Sequence, residues 1–169
     1  MKLVYIFFLC MCFQAQAQDW VQVTSLPNTF NKTHHSFAFS FDDMGYIVAG
    51  NSNTGVRDNF YQYNPVTDSW TELTPFPGVA RGFAIGDTWG GKAYFGFGND
   101  GTSRLNDLWV FDPSDMSWTE LASCPCAERT HPAMIANNGK VFVGLGGSSS
   151  GNMNDWWEYD ITLNTWSQK

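Results

Sequence analysis

Cys124 and Cys126, either side of Pro125, are the closest pair of reactive side chains after the N-terminal segment. An oxidising compartment permits a bridge between them. A C-x-C bridge closes a small, strained ring, so an open, redox-labile pair fits equally well. With no second cysteine pair or His-x-x-His nearby, they make a poor zinc site. The only histidines are His34, His35 and His131. Adjacent residues of a strand point to opposite faces, which predicts that His34 and His35 do not chelate one ion. Asp42-Asp43 precede Met44-Gly45 and read as solvated residues before a turn. No G-x-S-x-G, H-E-x-x-H, P-loop or EF-hand pattern is present. Gly96-Phe97-Gly98 and Gly144-Leu145-Gly146 have the glycines of a nucleotide loop without the helix that must follow. Asn51-Ser52-Asn53, Asn99-Asp100 and Asn152 to Asp155 are oxygen-rich, and turn formation explains them more economically than calcium. The expectation is no catalytic residue, no metal site and no cofactor in this portion.

The elements that carry these residues are strands. Charged residues make up 15%, aromatics 17%, and Gly is abundant at 16 residues, a composition suited to sheets and tight turns. The formal charge of -7 lacks the basic footprint that sequence-independent nucleic-acid binding needs. Lys2, the apolar run Leu3 to Phe13 and Ala15-Gln16-Ala17 read as a signal peptide over 1–17, cut near Ala17. Eleven apolar residues span only about 16 Å as a helix, too short for a membrane span. Cys10 and Cys12 fall inside this leader. The expected location is secreted, periplasmic or extracellular, and Asn31-Lys32-Thr33 would be a glycosylation site in a eukaryotic source.

Four sets of residues recur every 48 positions: Gly50, Gly98 and Gly146; Tyr61, Trp109 and Trp157; Tyr63, Phe111 and Tyr159; Trp70, Trp118 and Trp166. Arg81 and Arg129 repeat once, as do Asp107 and Asp155, with Asp58 a near-counterpart. In the third block, Pro132 to Ala136, Val141 to Gly146, Asp155 to Asp160 and a segment around Trp166 read as four strands. Asn137 to Lys140 is a hairpin turn between the first two, and Ile161 to Asn164 leads into the last. Four strands per 48 residues fit a propeller blade, whose sheet must stack on neighbours to bury both faces. The expected blades are about 31–74, 81–122 and 129–169.

The succession Arg129, Gly146-Gly147, Tyr159 and, seven residues later, Trp166 resembles the kelch repeat, over all of the chain after the leader. The double glycine is complete only in the third block. Gly50-Asn51 and Gly98-Asn99 replace it elsewhere, and Lys32 with His34-His35 stands near the first block's arginine position. The resemblance implies an all-β, kelch-type β-propeller, here three four-stranded blades of an incomplete ring. Asp19 to Val23 matches a fourth strand, giving an orphan strand over 19–25 that needs a further blade. The chain reads as the N-terminal part of a longer propeller within residues 18–169. Self-association of chains to complete the ring is the alternative.

In an up-down-up-down blade, the loops between second and third strands share an end with the connections between blades. Arg57, Arg81, Arg104, Arg129 and His131 fall on that face and are the binding candidates. Arg81 and Arg129 serve either ligand binding or loop locking, and the sequence leaves both open. The resemblance implies a secreted module recognising a protein or glycan through this face. The alternative is part of a carbohydrate-active propeller enzyme of the galactose-oxidase or sialic-acid-mutarotase kind. No motif carries over a single ligand of the oxidase copper site.

Overall fold

The computed structural model describes residues 20–27 and 32–169, so the leader and Asn31 of the sequon lie outside the described residues. All regular structure described is strand. The first sheet holds β1 (Thr33–His34), β2 (Phe37–Phe41), β3 (Met44–Ser52), β4 (Gly55–Asn64) and β5 (Ser69–Glu72), in the order β1-β3-β4-β5 with β2 also pairing β3. The second runs β6 (Ile85–Trp89), β7 (Lys92–Gly96), β8 (Leu108–Asp112), β9 (Ser117–Leu121). The third comprises β10 (Ala133–Asn137), β11 (Lys140–Gly144), β14 (Trp156–Asp160) and β15 (Thr165–Gln168). Between β11 and β14 a small hairpin forms from β12 (Gly147–Ser148) and β13 (Gly151–Asn152). All four sheets are antiparallel and resemble propeller blades.

Each of the three larger sheets opens with a two-residue turn, at Asp42-Asp43, Gly90-Gly91 or Asn138-Gly139, every one of these residues with positive φ. Left-handed φ at both central positions matches the twist of the flanking strands. Asp42 and Asp43 are thus the turn itself, and Met44 begins β3.

The sheets stack through their alternating apolar faces. Tyr46, Val48 and Phe60 of the first sheet meet Ala93, Phe95 and Phe111 of the second in one buried cluster. Tyr94 and Leu108 of the second meet Val141, Val143 and Tyr159 of the third in another. Trp118 lies in the first interface against Phe60, Phe76, Phe95 and Phe111, and is partly rather than wholly buried. The first strands of neighbouring sheets face one another, and the Ala136 N–H donates to Asp87 Oδ2 at 2.8 Å across that gap.

The repeated glycine has a steric cause. A Cβ at Gly98 (φ +92°) would lie 2.5 Å from the Gly82 carbonyl oxygen, and one at Gly146 (φ +86°) 2.7 Å from that of Thr130. Gly147, by contrast, has nothing nearer than 3.8 Å. Asn51 and Asn99 therefore stand at its position without disturbing the strand end.

Residues 20–27 form no strand. They are held at Thr24, whose N–H and Oγ1 donate to Asp68 at 2.8 and 2.9 Å and whose carbonyl accepts from Trp70 Nε1 at 2.9 Å. Ala122, leaving the second sheet, makes the same contacts with the third: its N–H to Asn164 Oδ1 at 2.8 Å and its carbonyl to Trp166 Nε1 at 2.7 Å. Thr24 thus sits against the first sheet as an inter-sheet connection does.

Candidate functional site on the loop face

Backbone hydrogen bonds bring the predicted loops to one end of the stack. Gly50 N–H reaches the Arg81 carbonyl at 2.9 Å and Arg81 N–H the Arg57 carbonyl at 3.0 Å. One repeat later, Gly98 N–H reaches the Arg129 carbonyl at 3.0 Å and Arg129 N–H the Leu105 carbonyl at 3.2 Å. Each sheet's entry segment is stitched to the long loop of the sheet before it.

Arg81 and Arg129 lock loops. Both are fully buried. Arg81 grips Asp107 with two parallel bonds at 2.5 and 2.6 Å and donates to the carbonyls of Val79 and Phe97. Its guanidinium also lies 5.0 Å from the Phe76 ring centroid. Arg129 grips Asp155 at 2.6 and 2.9 Å and donates to Ala127 and Leu145. The Arg129 bonds hold the Asp155 carboxyl down to about 2, against burial, with help from the Trp157 indole N–H at 2.8 Å. All three guanidinium nitrogens of each fork donate within the protein, and both side chains are shut off from solvent. The first sheet has Thr33 and Asn59 at the matching positions. Asp58 instead matches Asn106: the Asp58 carbonyl accepts from Phe76 N–H at 2.9 Å, as the Asn106 carbonyl does from Cys124 N–H at 2.9 Å.

Arg57 and Arg104 are different. Arg57 Nη2 donates to Thr54 Oγ1 at 2.5 Å at the tip of the β3–β4 hairpin. Both side chains have a buried Nε without a protein partner. Arg104 lines a cavity of about 470 Å³ between the second and third sheets. Thr102, Ser103 and Asn106 line it from the second sheet's long loop, Cys126 to Glu128 from the connection, and Ser149 from the β12–β13 hairpin. Cys124 and Cys126 are bridged in that connection, with the Asn106 amide donating to the Cys124 carbonyl at 2.7 Å.

The histidines meet, contrary to the alternation expected of a strand. His34 ends β1, and His35 turns out of it with a φ of 55°. Strand alternation therefore fails, and the two Nδ1 atoms are in contact. His35, Phe83 and His131 stand 48 residues apart and share left-handed φ values of 55°, 56° and 52°. Their rings converge, with centroids 4.6 Å (His35–Phe83), 4.8 Å (Phe83–His131) and 5.2 Å (His35–His131) apart. Desolvation, then the charges of His34 and His131, pull the His35 pKa below its ordinary value. The 48-residue spacing of these three was visible in the sequence, but their meeting was not.

No family model matches the chain, and no curated protein matches it. Among solved structures, that of YjhT superimposes with a TM-score of 0.78 over 92% of this chain, at 18% identity. The fold is similar to that of YjhT. The match takes in 56% of the YjhT chain, so this chain spans little more than half of that length. At that identity the likeness carries the all-β, propeller-like fold alone. Among the described residues no helix is long and apolar enough to cross a membrane.

Proposed function

We propose that the chain is part of an exported, kelch-type propeller acting on carbohydrate, with the cavity between the second and third sheets as its sugar-binding surface. The observation that carries this reading is the chemistry of the cavity. Thr102, Ser103 and Ser149 offer hydroxyls, while Arg104 and Glu128 offer charge-assisted bonds. Sugar hydroxyls both donate and accept, and such a lining can meet them from several sides. The likeness to YjhT supports the propeller scaffold beneath it. A secreted module binding glycan or protein without turnover is the simpler form of the same reading.

Titration of the chain with neutral and carboxylated monosaccharides by calorimetry tests the site. Arg104→Ala and Glu128→Gln are each expected to weaken sugar binding about ten- to a hundredfold, in line with the roughly 1.5–3 kcal/mol of a hydrogen bond to a charged group. Affinity unchanged in both variants would remove the cavity from consideration. Turnover is distinguished from binding by following anomeric proton signals and peroxide release. Export is tested by mass spectrometry of secreted protein, whose first residue should be Gln18 or its pyroglutamate. Retention of residues 1–13 sinks that reading.

A further inference from the structure

We propose that Cys126 is a site of reversible covalent modification, at which a small carboxylate-bearing thiol such as cysteine or glutathione exchanges with the Cys124–Cys126 bridge. The fold itself does not require the bridge. One repeat earlier, Phe76-Pro77-Gly78 holds the place of Cys124-Pro125-Cys126. There the Phe76 ring fills the sheet interface, packing on Phe95, Trp109 and Trp118. It lies so close over Gly78 that a Cβ on the glycine would be 2.5 Å from it. In the next interface the two bridged sulfurs stand in for that ring, and both cysteines are buried in one cluster with Val143. A bridge between residues two apart closes almost no loop, so it restrains the unfolded chain little and adds little to global stability.

The two sulfurs differ in access. Cys124 is 1% exposed, whereas Cys126 is 6% exposed and lines the cavity of about 470 Å³. Arg104 lines the same cavity, its Nε buried without a protein partner. Among the described residues it makes no ion pair. A cation there draws in a thiol's carboxylate and favours the thiolate, the form that attacks. The thiolate sulfur bonds to Cys126 Sγ, the S–S bond breaks, and its electron pair leaves on Cys124 Sγ, which takes a proton from water. A second thiol then displaces the Cys126 thiolate, so that two thiols become one disulfide and the bridge becomes two thiols. The Asn106 amide donates to the carbonyls of Cys124 at 2.7 Å and Cys126 at 3.4 Å, and keeps the segment in place while the sulfurs part. The exchange is independent of sugar binding, although an adduct on Cys126 occupies the same cavity.

The full chain should be treated with limiting glutathione at neutral pH, quenched with N-ethylmaleimide and mapped by peptide mass spectrometry, which separates this pair from Cys10 and Cys12. One peptide carrying glutathione on Cys126 and maleimide on Cys124 is expected. Near-UV circular dichroism should be retained on full reduction, with a urea midpoint close to that of the bridged chain. Cysteine and glutathione should react at least tenfold faster than neutral 2-mercaptoethanol at equal thiolate concentration. Arg104→Ala with parent-like dichroism should remove that preference, and Arg104→Lys should keep it. A bridge that opens only in denaturant overturns the proposal, as does glutathione on Cys124. So do equal rates for the charged and neutral thiols, or loss of the near-UV signal on reduction.

Discussion

A guanidinium taken wholly out of water gives up its hydration, and only a well-placed anion makes that tolerable. Arg129 meets this requirement with the two oxygens of Asp155 and two backbone carbonyls. Removing the anion leaves a buried charge, so Asp155→Asn should lower stability by about 3–5 kcal/mol at neutral pH. The pH dependence follows from the carboxyl's shift, from an ordinary 3.8 down to about 2 in the folded chain. A group whose folded value is depressed stabilises the fold above its unfolded value, and that contribution is lost as pH falls through the folded one. Urea midpoints of the native chain should therefore fall between 3.8 and about 2. In Asp155→Asn the fall over that window should be shallower. Equal slopes would show that the fork does not couple to folding.

At the scale of the element, the turn before each fourth strand differs between sheets in a coordinated way. Asp68, Met116 and Asn164 all have left-handed φ, at 47°, 59° and 53°. In the first and third sheets this residue accepts from a tyrosine hydroxyl, Tyr63 at 2.7 Å and Tyr159 at 2.6 Å. It also accepts from the backbone of the preceding connection, at Thr24 or Ala122. The second sheet has Phe111 in place of the tyrosine and Met116 in place of the acceptor, and Trp118 Nε1 is buried without a partner. Asparagine tolerates left-handed φ far better than methionine, and an intramolecular hydrogen bond adds about 0.5–1.5 kcal/mol. Met116→Asn should thus stabilise the chain by about 1 kcal/mol, and F111Y/M116N by more. Thermal midpoints below that of the parent would contradict the repeat equivalence.

For the whole molecule, the outward face of the third sheet matters most. Phe142, Trp156 and Leu145 stand where the second sheet has Tyr94, Leu108 and Phe97, all buried under the third sheet. On the third sheet nothing described covers them, and Leu145 is 43% exposed. Trp20 and Val21 project fully from the opposite end of the described chain. Apolar sheet faces of this kind favour association. Sedimentation of the chain should show concentration-dependent oligomers, and Leu145→Glu should shift them towards monomer. A stable monomer at high concentration would mean that this face is content in water.

Much of this was legible in advance because it is local. The 48-residue recurrence, the turn at Asn138-Gly139 and the strands around Trp157 and Tyr159 follow from side-chain periodicity and turn chemistry. Neither requires knowledge of distant contacts. The common end shared by Gly50, Gly98 and Gly146 with the connecting segments follows from counting strands. What tertiary structure alone decided was which of those residues are free. Arg81 and Arg104 are both loop-face arginines in the sequence, but the Asp107 carboxylate and the Phe76 ring bury the first, while the second lines a cavity. His34 and His35 meet because one left-handed φ takes His35 off the strand, and His131 reaches His35 from the segment that leads into the third sheet. Periodicity tells which face a side chain leaves from. Where it arrives depends on the sign of φ at single residues and on the stacking of sheets far apart in sequence, and neither of these is periodic.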